Sequence, residues 1–302
     1  MRTLAVTVAA LTAALAAGFA LAGAHPARAT STIQVVAAEN FWGSIAAQLG
    51  GDRVHVTSII NNPATDPHDY EPTSVDARNM AGAQLAIVNG IGYDGWAPKL
   101  LASNPAHGRI VLTVGDLVGV KAGGNPHRWY SPPNVQQVIN AIVADYTKLD
   151  PHDAAYFKAQ RTAFETKGLA QYKGLISTIR QQYRGVPVGA SESIFAPLAQ
   201  ALGLKLITPP EFLRAISEGT DPSAKDLSTI NEQIAKRQIK VWVFNSQNST
   251  PDVARITEAA RKKHIPVTTV TETLTPAGAS FQAWQSRQLV ALERSLRQAR
   301  GG

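Results

Sequence analysis

Cysteine is absent from all 302 residues. That excludes disulfides, so stability must come from a packed core. It also removes the residue that a lipoprotein needs at its mature N-terminus. Beyond the first 29 residues no apolar stretch approaches the length needed to span a bilayer. There is no His-Glu-x-x-His run and no Gly-x-Ser-x-Gly elbow, two signatures of hydrolytic sites. No nucleic-acid motif occurs, and the basic residues are scattered, apart from small clusters such as Arg261-Lys262-Lys263. Those clusters read as solvated faces and helix C-terminal charges. Nucleic acid is therefore not expected as a partner. No internal repeat is visible at the residue level.

What is present begins with an export signal. Arg2 supplies a positive start, Leu4 to Ala22 is an alanine-rich apolar run, and Ala27-Arg28-Ala29 is a small-x-small cleavage pattern. Residues 1–29 are expected to be a cleaved signal peptide, with a membrane anchor as the competing reading. Loss of Arg2 and Arg28 takes the formal charge from +7 to +5. A protein that is periplasmic or otherwise extracytoplasmic follows, without lipid attachment.

The rest alternates strand-like and helix-like runs. Strands are expected at 33–38, 54–60, 85–88 and 110–114, and again at 186–190, 205–207, 241–244 and 267–271. Helices are expected between and after them, the last at 281–299. Residues 153–183 carry apolar side chains at helical spacing, from Phe157 to Tyr183. The expected fold class is α/β. It has two lobes, each a four-stranded mainly parallel sheet flanked by helices, joined by one long linking helix. The expected boundaries are 30–150 for the N-terminal lobe, 151–185 for the linking helix and 186–302 for the C-terminal lobe.

Two loops stand out, Asp66-Pro67-His68-Asp69-Tyr70-Glu71-Pro72 and Asn125-Pro126-His127-Arg128-Trp129. Each sets a histidine after a proline, on stiff, irregular backbone. In a chain without thiols, two such imidazoles point to a metal site. Ligands of parallel sheets bind outside the carboxyl ends of the strands. His68 follows the second strand of the first half, and His127 the fourth. Glu192 follows the first strand of the second half, and Glu272 the fourth. One topological rule thus brings two imidazoles and two carboxylates to one edge.

These segments, with Gly50-Gly51-Asp52-Arg53-Val54, Ser191-Glu192-Ser193-Ile194-Phe195 and Thr271-Glu272-Thr273-Leu274, carry a resemblance. The chain resembles the divalent-metal (manganese, zinc or iron) solute-binding proteins of ABC transporters, the branch with a rigid linking helix. The resemblance covers essentially the whole chain after the leader. It implies one ligand from each segment: His68, His127, Glu192 and Glu272. The zinc-preferring branch typically has histidine in the third segment, so Glu192 is closer to the manganese/iron branch. Asn125 stands where aspartate is usual before Pro-His. Glu272 stands where aspartate is usual, and its longer arm bears on metal distance and denticity. Asn245 occupies a strand-end position that commonly carries an acid.

Plainer roles compete. Glu192 also suits the first turn of the following helix, and Glu272 suits a solvated loop. His55, His107, His152 and His264 read as structural or solvated. The aromatics Phe41, Trp42, Tyr70, Trp129 and Trp242 read as core or cleft walls. The expected function is capture of one divalent transition-metal ion, Mn²⁺, Zn²⁺ or Fe²⁺, in the interlobe cleft for an ABC permease, by a monomer that is not an enzyme. The alternatives are a metalloenzyme with a two-histidine and carboxylate site, and a solute-binding protein for an organic ligand such as a siderophore.

Overall fold

The computed structural model describes residues 32–65 and 70–301. The expected signal peptide and the loop residues Asp66, Pro67, His68 and Asp69 lie outside the described residues. The first half holds β1 (Ile33–Glu39), α1 (Asn40–Gly50), β2 (Val54–Ile60), α2 (Ser74–Gly82), β3 (Leu85–Val88), α3 (Ala97–Ser103), β4 (Ile110–Thr113), α4 (Val114–Val118) and α5 (Pro132–Leu149). Then come α6 (Ala154–Ala163) and α7 (Ala170–Tyr183). The second half holds β5 (Pro187–Ala190), α8 (Ala196–Leu202), β6 (Lys205–Leu206), α9 (Pro210–Ser217), α10 (Ala224–Ala235), β7 (Val241–Asn245), α11 (Pro251–Lys262), β8 (Val267–Val270) and α12 (Phe281–Gly301).

All pairings are parallel, in the orders β2-β1-β3-β4 and β6-β5-β7-β8. The two sheets therefore share one wiring. The chain moves outward from the first strand, then crosses back over it. That reversal opens a crevice beyond the strand ends. In β1 alternate side chains serve different cores. Val35 and Ala37 join the main core, while Val36 and Ala38 face a smaller one with Met80 and Trp96. This is the period-two signature of a strand covered on both faces.

The stretch expected as one linking helix runs as α6, a π-helical turn at Phe164–Gly168, and α7. The Leu169 N–H reaches back five residues to Phe164 O at 2.8 Å. One extra residue is thereby absorbed without ending the helical path. Two short helices, α4 and α9, were not expected. Pro210 opens α9, and Phe212, Leu213 and Ile216 bury one face. That signal is only two turns long. His127 consequently follows α4 and a loop rather than the end of β4 directly.

The two halves share the main core, which runs from Ile33 in β1 to Leu296 in α12. Side chains of α1 reach across to the second half. Ser44 Oγ accepts the Phe281 N–H at 2.9 Å, and Asn40 Oδ1 accepts that of Leu274 at 3.2 Å. Within the second sheet Gly189 lies opposite Trp242 in the β5–β7 pairing. A Cβ at 189 would sit 2.6 Å from Ile239 Cδ1 and 2.8 Å from Trp242 Cε3. Only hydrogen fits beside that indole, so the glycine lets β7 pack at full depth.

Candidate metal centre

Three of the four expected site residues meet beyond the strand ends. Ligand-type atoms of His127, Glu192 and Glu272 all lie within 4.8 Å of one another, and all three residues are buried. His127 Nε2 is 3.6 Å from Glu192 Oε1 and 3.5 Å from Glu272 Oε2. His68 lies outside the described residues.

The tripeptide Asn125-Pro126-His127 builds its own support. Asn125 Oδ1 accepts the His127 backbone N–H at 3.0 Å and lies 2.9 Å from the ring Nδ1. An amide oxygen can only accept, so it selects the tautomer with hydrogen on Nδ1. Nε2 is then the lone-pair nitrogen, and it faces the carboxylates. That is the second-sphere arrangement that orients metal-ligating histidines. Asparagine supplies it as aspartate would, without the charge. Its amide also donates to Ser193 O at 2.7 Å, which ties this loop to the other half. Edge-on contacts with Trp129 and Tyr93, at ring separations of 5.2 and 5.9 Å, wall the imidazole with hydrocarbon. Of the described histidines only His127 is buried; His55, His107, His152 and His264 are exposed.

Glu192 has extended backbone just ahead of a 3₁₀ turn, and its side chain makes no capping bond. It turns instead to the site, so the helix-cap alternative fails. Burial, then the neighbouring Glu272, push its carboxyl well above the usual range. Glu272 is 7% exposed, not solvated. It accepts from the Tyr93 hydroxyl at 2.8 Å and from Asn245 Nδ2 at 2.7 Å. Asn245 Nδ2 also donates to Glu192 Oε2 at 3.1 Å. Two buried acids this close repel, and a dication between them would lift the penalty.

Sequence reasoning missed three neighbours. Tyr93 and Asp94 sit in the loop after β3, where Gly90, Ile91 and Gly92 all have positive φ. Asp94 closes that loop by accepting the Asn89 and Gly90 N–H groups, both at 2.7 Å. Glu39, the last residue of β1, is wholly buried with its carboxyl beside Asp94. Burial first, then Asp94, raise it well above its ordinary value. The signal was available: Glu39 stands at the carboxyl end of the first strand of its sheet, as Glu192 follows that of the other sheet.

Comparison with known proteins gives the family. A family model described as "Zinc-uptake complex component A periplasmic" (ZnuA) matches residues 35–295. The iron-binding protein YfeA of Yersinia pestis is 28% identical over 197 residues, covering 62% of each chain. This chain thus spans less than two thirds of that relative. The manganese-binding lipoprotein MntA of Bacillus subtilis (strain 168) is 25% identical over 274 residues, covering 85% of this chain and 87% of its own. The Mn-bound periplasmic metal binding protein of Candidatus Liberibacter asiaticus superposes with a TM-score of 0.73 at 21% identity, over 88% of this chain and 100% of its own. That likeness is one of fold. Because the matched range takes in both sheets and all three clustered side chains, this chain belongs to the ZnuA family.

Proposed function

We propose that this protein captures a divalent transition metal outside the cytoplasmic membrane and delivers it to an ABC permease. The ligands are His127, Glu192 and Glu272, completed by His68. One neutral imidazole and two carboxylates converging from three chain segments carry this reading. The acids neutralise the dication, and the imidazoles, His68 included, add donors without charge. Such a nitrogen/oxygen set takes Mn²⁺, Fe²⁺ or Zn²⁺. Filled by protein groups, it leaves no place for an activated water, so the chemistry is capture rather than catalysis. The chain works as a monomer without nucleic acid, after removal of residues 1–29. Its lobes are 30–150 and 186–302, joined through 151–185. Release follows if the permease parts the lobes, because each contributes half of the donors.

The test is a metal titration by calorimetry with wild type, His127→Ala, Glu192→Gln and His68→Ala. Each substitution is expected to weaken Zn²⁺ and Mn²⁺ binding by at least about 100-fold, the loss of a directly bound ligand exceeding the 10–100-fold of a supporting one. Unchanged affinity in His127→Ala and Glu192→Gln would remove the proposal.

A further inference from the structure

We infer that Asn245 confines both glutamates to one metal-facing oxygen each, and so sets a low coordination number at the site. The inference rests on the metal-capture reading above. It begins with strand order. β7 lies between β5 and β8, so the residue ending β7 stands between Glu192 and Glu272, which follow the outer two. Asn245 is fully buried there.

Its amide has one orientation. Oδ1 accepts the Gln247 N–H at 3.0 Å, which turns Nδ2 toward the acids. The Asn245 backbone N–H donates to Ser191 Oγ at 2.9 Å, pinning the same residue to the loop that carries Glu192. The two hydrogens of Nδ2 are divided, one to Glu192 Oε2 and one to Glu272 Oε1. Both are the oxygens remote from His127. The other pair, Glu192 Oε1 and Glu272 Oε2, are those nearest His127 Nε2. Each carboxylate is therefore held edge-on, one oxygen on the amide and one on the imidazole side. To chelate with both oxygens, a glutamate would have to leave Asn245 and strand a buried N–H, a cost that opposes the change.

The consequence is chemical. Zn²⁺ and Co²⁺ accept four donors, whereas Mn²⁺ in oxygen-rich sites is satisfied by six. A residue that withholds two oxygens biases the site toward the first pair. An acid at this position would repel Glu192 and Glu272 rather than bridge them. The amide is thus a specificity-determining residue that never touches the ion.

The test uses the whole mature chain loaded with Co²⁺, whose visible absorption is intense when four-coordinate and weak when six-coordinate. Wild type is expected to give the intense spectrum, and X-ray absorption of its Zn²⁺ form to show no two-oxygen carboxylate. Asn245→Ala is expected to lose much of that intensity and to weaken Zn²⁺ by about 10–100-fold, with a smaller loss for Mn²⁺. The inference is overturned if wild type binds through both oxygens of either glutamate. It is equally overturned if Asn245→Ala keeps both the spectrum and the Zn²⁺/Mn²⁺ ratio. The X-ray measurement needs no variant, so misfolding of Asn245→Ala leaves the question decidable. Failure of wild type to bind Co²⁺ at all, or a spectrum indifferent to His127→Ala, would instead sink the metal-capture reading.

Discussion

At the scale of single residues, the N-terminal half keeps an acid, Glu39, wholly buried at the end of β1. Its carboxyl is raised by burial and by Asp94. Between its ordinary value, near 4.5, and the raised one, the native protein keeps a proton that the unfolded chain releases. Raising the pH through that window therefore favours unfolding. Metal-free protein is expected to melt at progressively lower temperature as pH rises above the ordinary carboxylate value. Glu39→Gln copies the neutral form. It is expected to match wild type near the acidic end, exceed it at the alkaline end and flatten the profile. Melting curves of the two proteins that stay parallel across this range would contradict the assignment.

Between elements, close approach decides the geometry of the site. Gly189 allows β7 to lie against β5, and Glu192 follows three residues later. Gly189→Ala would push a methyl into Trp242 and Ile239. Overpacking of this kind costs about 1–3 kcal/mol. Denaturant titration is expected to show that loss, and metal binding to weaken with it because the β5 end shifts relative to Asn245. A stability change without any effect on affinity would mean that the strand end is decoupled from the site. Helix entry is more local. Thr73 and Asp76 form a reciprocal capping box at α2, with Asp76 Oδ2 accepting the Thr73 N–H at 2.7 Å and Thr73 Oγ1 accepting that of Asp76 at 3.3 Å.

Over the whole molecule, the shared core has a thermodynamic consequence. The chain from Thr32 onward forms one compact unit, and its main hydrophobic cluster crosses from the first sheet to the last helix. Neither half can unfold without exposing the other's apolar surface. Calorimetry on metal-free protein is expected to give one transition with equal calorimetric and van't Hoff enthalpies. Two separable peaks would show independently stable lobes. Metal at 100 times its dissociation constant should add about 2.7 kcal/mol, again to a single transition. Among the described residues no helix is long and apolar enough to cross a membrane.

The sequence by itself determined the alternation of strands and helices, because period and punctuation are local. β2 and β3 fall where apolar spacing put them. It also pointed to His127, Glu192 and Glu272, since parallel sheets offer ligands at one edge. The π-turn at Phe164–Gly168 escaped notice because it leaves only one mark in the sequence, the five-residue apolar step from Phe164 to Leu169. Tyr93 escaped because its partner, Glu272, lies 179 residues away, and Glu39 because a strand-end position does not by itself name Asp94 as the partner. Asn245 was visible only as a departure. That it bridges two acids was decided by the order in which the strands assemble, and strand order is a property of the folded sheet rather than of any segment in it.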